Sequence, residues 1–435
     1  MTHDTSARSR TAVFSAWRNR CSPSTGDHRQ ACLLIALSVA SGWIGWSGNV
    51  LTIPVAMLFP ALWAHSTSRT TAALVSAGYF LAASRGLPLG VANFYAADMW
   101  PGLLLWLGAS LSFILVHAVA WAKQPNLNRA EGQPGERRLA RWVADIPLAE
   151  KGLAMRYLVA SLLMALPPFG IMGWAHPLTA AGVLFPGWGW WGLGATACLL
   201  VIMTGRRWQL AVAVLGGLYV WSATTWTPPK VPDRWTGVDL QHGENLGRDN
   251  SLDHHRDLIA TVRAAAGPGT RFVVLPESAL GFWTPTVAQL WQQGLRGSNL
   301  IVMAGAAVID AGGYDNVIVA ISAGEAQILY RERMPVPVSM WQPWRKWTAQ
   351  GGGARAHFFA NPVVDLAGTR IAPLICYEQF VLWPAPQSML QSPDVIVAIG
   401  NGWWTAGTSI VAIQQASAVA WAKLFNRPLV TAFNT

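Results

Sequence analysis

The feature that most constrains the fold of this 435-residue sequence is a change of hydrophobic pattern near residue 230. Before that point long apolar stretches follow one another, and several reach the ~18 residues that cross a bilayer as a helix. They lie at about residues 31–46, 50–64, 70–87, 99–122, 156–174, 187–204 and 208–225. The pattern predicts a polytopic α-helical membrane bundle of about seven helices over residues 31–226, preceded by a basic segment at residues 1–30.

The charges are as uneven as the hydrophobicity. Lys and Arg outnumber Asp and Glu by 17 to 7 in residues 1–230, whereas residues 231–435 hold 14 of each kind. The net charge of +10 therefore lies in the apolar part, where basic residues act as a topological signal. A nucleic-acid surface would need basic residues clustered on a folded face, so we expect no nucleic acid as a partner.

The positions of the cations predict the orientation of the chain. With seven spans, 15 of the 17 fall on one side, and only Arg85 and Lys230 fall on the other. The positive-inside rule makes the first side cytoplasmic, which places the chain after about residue 226 in the periplasm of a Gram-negative cell. The first two stretches are short enough to form a re-entrant pair, which would leave this orientation unchanged. We therefore expect a multi-pass protein of the bacterial inner (cytoplasmic) membrane.

From about residue 235 the pattern is different, because short β-rich runs alternate with helical stretches. The predicted strands are 235–240, 271–275, 299–305, 315–321, 325–330, 357–360, 369–375, 393–399 and 428–433, and the predicted helices are 252–265, 285–296, 384–391 and 409–425. This alternation is typical of a layered α/β domain, and about 200 residues are ample for one core. The sequence predicts such a domain over residues 235–435.

Two of the predicted strands end on side chains that could form a catalytic pair. Cys376 follows the strand at 369–375, and Glu277 follows the strand at 271–275 after one proline. A thiol and a carboxylate delivered to one edge of a sheet can act as nucleophile and base. A single buried cysteine is often an inert core residue, so position alone leaves both interpretations open.

The sequence indicates neither a cofactor nor a metal. The glycines at 351–353 are not followed by the Lys-Ser/Thr of a phosphate-binding loop. His254 and His255 are adjacent on a predicted helix and so point to different faces. The three other cysteines lie in the N-terminal segment or in predicted spans, which leaves Cys376 without an expected disulfide partner.

The two strand-end residues belong to an ordered series of motifs. The series is Leu275-Pro276-Glu277-Ser278-Ala279, Tyr330-Arg331-Glu332-Arg333-Met334-Pro335-Val336-Pro337, Ile375-Cys376-Tyr377-Glu378, Asn401-Gly402-Trp403-Trp404 and Asn426-Arg427-Pro428. In this order the motifs resemble apolipoprotein N-acyltransferase, a membrane-anchored family of the nitrilase (carbon–nitrogen hydrolase) superfamily. The resemblance covers nearly the whole chain, because that family also has a polytopic helical part before a periplasmic nitrilase domain.

The resemblance implies an α/β nitrilase-type αββα sandwich at residues 235–435. It also implies that Cys376 is the nucleophile, that Glu277 is its general base and that Glu378 is an acid that orients the site. The thiolate would take an acyl group from a phospholipid donor as a thioester. An amine acceptor, such as the N-terminal cysteine of a lipoprotein, would then receive that group. Membrane lipid is therefore an expected partner.

The sequence departs from that family where a lysine helps to hold the developing oxyanion. Glu332 occupies this position, which puts a negative charge where negative charge develops. Arg331 or Arg333 could supply a cation, but in an extended chain both point away from the face of residue 332, so a local bulge would be needed. The sequence also stops at Asn434-Thr435, where the family continues, so the domain is expected to be short at its C-terminus.

With these departures the sequence resembles a second group, the plasmid conjugal-transfer proteins of the TraB type. Those proteins look like shortened N-acyltransferases. Two functions therefore stay open. One is an active acyltransferase or amidase that uses Glu277 and Cys376, with Arg331 or Arg333 in place of the lysine. The other is a non-catalytic envelope component of a conjugation apparatus, in which the nitrilase fold serves as a binding platform.

Overall fold

The structure is a computed structural model that describes residues 25–122, 148–248, 251–348 and 352–435. Most of the predicted basic N-terminal segment lies outside the described residues. So does the loop at residues 123–147, which carries several of the cations used to predict the orientation.

The first part of the described chain is helical. Its helices are α1 (Thr25–Gly45), α2 (Phe59–Ala64), α3 (Arg69–Ala83), α4 (Leu87–Tyr95), α5 (Met99–Ala120), α6 (Leu148–Ala165), α7 (Ala181–Leu184), α8 (Gly189–Met203) and α9 (Trp208–Thr224). Short 3-10 helices at Val50–Leu58, Phe169–Met172 and Pro177–Ala180 join some of them. The apolar stretch predicted at 156–174 is interrupted, because α6 ends just before Pro167 and Pro168, and proline cannot continue the helical hydrogen bonds.

Helix length supports fewer membrane spans than the sequence predicted. Within the described residues, α5 is the one helix that is long and apolar enough, at 22 residues, to cross a membrane by itself. Helices α3 and α4 would pass the same test together, but they are bent by 49° where they meet. By length and composition the described chain therefore has one candidate span, or two if the bent pair counts as one, where seven were expected.

Helix α5 exposes one apolar face along its length. Leu103, Leu107, Leu111, Leu115 and Val119 are spaced four residues apart, and their exposed fractions run from 41% to 70%. Residues four apart lie on the same face of a helix, so these side chains form a continuous stripe. The described part of the chain leaves this stripe uncovered.

The second part of the described chain is an α/β sandwich. Its strands are β1 (Trp235–Gly237), β2 (Phe272–Val274), β3 (Ile301–Asp310), β4 (Gly313–Ile321), β5 (Ala326–Arg331), β6 (Val364–Leu366), β7 (Thr369–Ile375), β8 (Val395–Asn401) and β9 (Leu429–Asn434). Its helices are α10 (Leu252–Ala265), α11 (Pro285–Gly294), α12 (Pro384–Met389) and α13 (Ile410–Leu424). One sheet has the order β1-β2-β3-β4-β5, and the other has the order β6-β7-β8-β9.

The two sheets pack face to face between two helical layers. Apolar residues of both sheets, such as Val274, Ile375 and Val397, form one buried cluster between them. Helices α10 and α11 bury Val262 and Trp291 against the outer face of the first sheet, and α13 covers the outer face of the second. This arrangement is the αββα sandwich of a nitrilase-type fold.

Parallel pairing directs several strand ends to one place. Strands β1, β2 and β3 run parallel in the first sheet, and β7, β8 and β9 run parallel in the second. The carboxyl ends of parallel strands meet at the same edge of a sheet, so the residues that follow β7 and β8 lie together, and packing of the two sheets brings the residues after β2 to them. Ligands of open α/β sheets commonly bind outside such ends.

The strand predicted at 357–360 is absent, and the short strand β6 forms a few residues later. His357 donates its backbone N–H to the Glu332 carbonyl, and Ala360 closes a turn back to His357. Phe359 and Asn361 have φ values of 62° and 44°, in the left-handed region. Positive φ at successive alternate residues is incompatible with an extended strand, so this aromatic segment forms a turn.

The helical part and the sandwich share one hydrophobic core. Residues of the second sheet and of α13 belong to the same buried cluster as residues of α2, α3 and α7. Gly182 of α7 lies so close to α13 that a Cβ atom would overlap the Ala420 carbonyl oxygen. On another side Phe94 of α4 stacks on Trp403, with ring centroids 5.7 Å apart, and Asn93 donates to the Trp404 carbonyl. The two tryptophans after β8 therefore dock the sandwich against α4.

Candidate active site

Cys376 lies on a sharp turn at the end of β7. Its φ of 43° is in the left-handed region, and the 3-10 helix Cys376–Gln379 begins at this residue. Gln414 of α13 donates to the Cys376 carbonyl at 3.1 Å and lies 3.7 Å from the sulfur. A non-glycine residue with such a φ indicates local strain, which commonly marks functional sites. The turn holds the sulfur at the edge where the parallel strands end.

Glu277 lies in the loop after β2 and is held by both sheets. Its Oε1 accepts a hydrogen bond from Nδ2 of Asn316 at 2.8 Å, and its Oε2 accepts one from the backbone N–H of Asn401 at 3.0 Å. Gly305 of β3 permits this path, because a Cβ there would lie 2.5 Å from the Glu277 Cα. The structure therefore fixes the carboxylate from several directions.

The structure brings the thiol and the carboxylate together. Cys376 and Glu277 line the same cavity and are close enough for each to affect the pKa of the other. Burial is the largest cause in both groups, and it raises the pKa of each above its usual range. Burial therefore favours the neutral thiol over the thiolate at Cys376.

Glu332 is buried close to this pair. Its Oε2 accepts a hydrogen bond from Nδ2 of Asn316 at 2.8 Å, so one amide nitrogen donates to both Glu277 and Glu332. Its side chain is fully buried, and its Oε1 has no hydrogen-bond partner among the described residues. Burial, followed by the charge of Glu277, raises the pKa of Glu332 well above its usual range.

Glu378 anchors the turn that carries Cys376. Its carboxylate accepts hydrogen bonds from the backbone N–H of Ile375 and of Arg333, both at 2.7 Å, and from the Tyr330 hydroxyl at 2.5 Å. Glu378 is buried and does not line the cavity described below. In this structure it joins the end of β7 to the segment after β5, and its predicted orienting role stays a prediction.

The structure directs both candidate arginines away from the thiol. Arg333 is fully buried, and its guanidinium donates to Tyr330, to the carbonyl groups of Pro373 and Pro384, and to side chains of α12. Arg331 forms an ion pair with Asp315. Neither lines the cavity, so the expectation that one of them replaces the lysine is not met here. The alternation of the extended chain explains this, since both point away from the face of residue 332.

A cavity of about 570 Å³ lies against the thiol. Its polar lining includes Cys376, Glu277, Asn401 and Gln414, together with Arg248 and several hydroxyl side chains. The helical part of the chain supplies much of the remaining wall, with Leu87, Val91, Leu105, Ala109 and Trp174 among its residues. The volume and the mainly apolar wall with a few convergent polar groups are typical of sites that bind small molecules.

Two polar residues of the site were not identified from the sequence. Asn316 bridges the two carboxyl groups, and Gln414 contacts Cys376. Both are buried polar side chains within otherwise apolar elements, β4 and α13. Such residues require hydrogen-bond partners, and this signal could have identified them as candidates. Among the described residues, no three His, Cys, Asp or Glu side chains are grouped as a metal ion would require.

The sequence of this chain is similar to a known protein family and to conjugal transfer proteins. The family model described as carbon-nitrogen hydrolase matches residues 81–423. The conjugal transfer protein TraB of Agrobacterium fabrum is 68% identical over 435 residues, which is the full length of both chains. A probable conjugal transfer protein TraB of Sinorhizobium fredii is 58% identical over 94% of this chain and 99% of its own.

More distant similarities extend to enzymes. An apolipoprotein N-acyltransferase of Verminephrobacter eiseniae is 26% identical over 66% of this chain and 62% of its own. Among solved structures, an amidase of the nitrilase superfamily from Nesterenkonia is 13% identical, with a TM-score of 0.34, over 46% of this chain and 74% of its own. A carbon–nitrogen hydrolase from Helicobacter pylori gives the same TM-score, over 46% and 73%.

Proposed function

We propose that this chain, which belongs to the carbon–nitrogen hydrolase family and to the group of TraB conjugal transfer proteins, is a membrane-anchored acyltransferase. One observation carries the proposal: Cys376 and Glu277 lie together at the polar end of a mainly apolar cavity. A thiol with an adjacent base can form a covalent acyl intermediate, and an apolar wall can receive an acyl chain.

The first half-reaction transfers an acyl group to the protein. Glu277 accepts the thiol proton while the Cys376 sulfur attacks the carbonyl carbon of an ester. The tetrahedral adduct then collapses, the ester C–O bond breaks, and the departing oxygen takes the proton from Glu277. The products are a thioester on Cys376 and an alcohol, and Glu277 is again a carboxylate.

The second half-reaction releases the acyl group to an amine. The amine nitrogen attacks the thioester carbon and transfers a proton to Glu277. The C–S bond then breaks, and the sulfur recovers a proton from Glu277. An amide leaves, and both side chains return to their starting forms. We propose a lipoprotein N-terminus or another amine as the acceptor, since an amine attacks a thioester more readily than water does in a mainly apolar site.

The proposed donor is a phospholipid of the membrane in which the helices are embedded. The uncovered apolar stripe on α5, Leu103 to Val119, supports this location, because soluble proteins rarely expose a continuous apolar surface of that size. The uneven distribution of cations supports a multi-pass arrangement in the inner membrane with a periplasmic sandwich. The cavity wall contains residues of α4 and α5, so an acyl chain could reach Cys376 from the membrane side.

The names of the two TraB relatives connect the proposed activity to conjugal transfer. In this proposal the acylated amine belongs to a component of the conjugation machinery or of the envelope around it.

A second candidate is a binding platform without turnover. Glu332 favours it, because a carboxyl group occupies the position where the resemblance implies a lysine at the oxyanion. In that case the cavity would still bind lipid, but no covalent intermediate would form.

Mass spectrometry of the purified full chain after incubation with phosphatidylethanolamine vesicles decides between the two candidates. We expect an acyl adduct on the peptide that contains Cys376. The Cys376→Ser variant should lack it, and Cys198→Ser, which changes an exposed cysteine of α8, should retain it. A wild-type chain that shows no adduct, although iodoacetamide alkylates Cys376, would refute acyl transfer and favour the platform.

A further inference from the structure

The Asn316 amide joins two carboxyl groups that receive unequal hydrogen bonding. Its Nδ2 lies 2.8 Å from Glu277 and 2.8 Å from Glu332, so the two acceptor oxygens lie no further apart than twice that distance. Glu277 also accepts a hydrogen bond from the backbone N–H of Asn401, and it lines the same cavity as the Cys376 thiol. Among the described residues the Glu332 side chain accepts no further hydrogen bond, so its Oε1 has no partner there.

This inequality determines where a proton should reside. Two ionised carboxylates this close together repel each other, and a buried carboxylate with one neutral donor lacks compensation for its lost hydration. Hydrogen-bond donors favour the ionised form, and Glu277 has more of them. Both considerations leave Glu277 ionised and assign the proton to the other group.

We propose that Glu332 is a neutral carboxylic acid in the resting protein and is a positioning residue for the Glu277–Cys376 pair. It fills the position of the expected lysine without adding a second negative charge beside the thiol. The charge reversal inferred from the sequence would then be absent, because a protonated carboxyl group carries no charge.

The groups that face Glu332 are consistent with this assignment. The described ones are Glu277 in the loop after β2, Tyr314 of β4, and Cys376 and Glu378 in the turn after β7. None of these is a cation, and the charges of Glu277 and Glu378 both raise the pKa of Glu332, after burial as the largest cause. The nearby Arg333 pairs with Glu378, and Arg331 pairs with Asp315.

The consequence for the site is electrostatic. An ionised Glu332 would raise the pKa of the Cys376 thiol further, because it adds a negative charge beside the developing thiolate. A protonated Glu332 removes that obstacle, so Glu277 can accept the thiol proton near neutral pH. This role concerns the pair itself and does not depend on acyl transfer, so its tests need no lipid or amine.

Infrared spectra of the full-length wild type and its variants, compared at neutral pH, test directly whether Glu332 is protonated. We expect the carbonyl band of a protonated carboxyl group in the wild type and in Glu325→Gln, which changes an exposed glutamate. The band should be lost in Glu332→Gln. If the band is lost in Glu277→Gln and retained in Glu332→Gln, the proton resides on Glu277, and the proposal is overturned. A wild-type spectrum without any such band would overturn it as well, without need of a variant.

The rate of Cys376 alkylation by iodoacetamide, measured against pH, tests the electrostatic role. At neutral pH the rate of Glu332→Gln should lie within about twofold of the wild type, and it should rise above the wild type once alkaline pH ionises Glu332. Glu332→Lys should react about tenfold faster or more at neutral pH, because a nearby cation lowers the pKa of the Cys376 thiol. A decrease of one pKa unit raises the fraction of thiolate about tenfold. A tenfold gain for Glu332→Gln already at neutral pH would mean that Glu332 is ionised, which refutes the proposal.

Discussion

Glu277 binds the backbone N–H of Asn401 at 3.0 Å, and this contact links the loop after β2 in one sheet to the end of β8 in the other. The carboxylate is therefore held in place before any substrate arrives. A base that is fixed in this way can accept a proton without first losing the freedom of a mobile side chain.

The first prediction is that Glu277→Gln slows the formation of the acyl adduct on Cys376 by about 10²- to 10⁴-fold. Glutamine has nearly the same shape but cannot accept the thiol proton. The rate is measured by mass spectrometry over a time course, with Glu244→Gln as a control at an exposed position. A rate within threefold of the wild type would mean that Glu277 is not the base.

The second prediction concerns the anchor of the turn. Glu378→Ala removes the acceptor for Tyr330 and for two backbone N–H groups, and it leaves the buried Arg333 without its carboxylate. Breaking a buried ion pair in this way costs about 3–5 kcal/mol in the free energy of unfolding, so the thermal midpoint should fall sharply.

The matched control for this prediction is Glu244→Ala, which breaks the exposed ion pair with Arg248 and should cost less than about 1 kcal/mol. Equal shifts of the thermal midpoint in the two variants would show that Glu378 does not anchor the turn.

The third prediction follows from the raised pKa of Glu332. In the unfolded chain this group loses its proton near its ordinary value of 4.5, whereas the folded chain retains the proton to higher pH. The folded state then binds more protons, so its stability falls as pH rises above that value, by up to about 1.4 kcal/mol per pH unit. Glutamine does not titrate. The thermal midpoint of Glu332→Gln relative to the wild type should therefore increase between about pH 5 and about pH 8. A difference that stays constant would contradict the assignment.

The fourth prediction tests the contact between the helical part and the sandwich. Gly182→Ala places a methyl group against the Ala420 carbonyl oxygen. It should lower the thermal midpoint, because this oxygen belongs to the backbone of a packed helix and cannot easily move away. Gly194→Ala, in α8, meets no atom within 4 Å and should be neutral or slightly stabilising, since alanine favours helices. If the two substitutions have the same effect, the tight packing of α7 on α13 is wrong.

The fifth prediction concerns topology. A reporter that is active only in the periplasm should be active when it is fused after about residue 230, because the distribution of cations predicts that the following domain lies outside the cytoplasm. The same reporter fused near residue 140, within the basic loop, should be inactive. The opposite pattern would invert the orientation and remove the proposed lipid and lipoprotein substrates.

The sequence was most informative where a local pattern decides the structure. The apolar runs that end at Cys376 and Glu277 form buried strands, and the face-to-face packing of the two sheets brings their ends together. The partners of Arg333 could not be predicted, because they lie on α12 and β7, 40 to 55 residues along the chain. The sequence predicts a strand near His357, because the aromatic residues there favour strands. The backbone instead forms a turn, and its conformation depends on a distant contact with Glu332.

The raised pKa of Cys376 also affects how this residue withstands oxidants. Peroxides attack the thiolate, and oxidation to sulfenic acid and beyond depends on thiolate content and on access. A side chain that is 5% exposed and remains protonated at rest offers little of either. In the proposed mechanism this thiol resists oxidation at rest and becomes reactive when Glu277 accepts its proton.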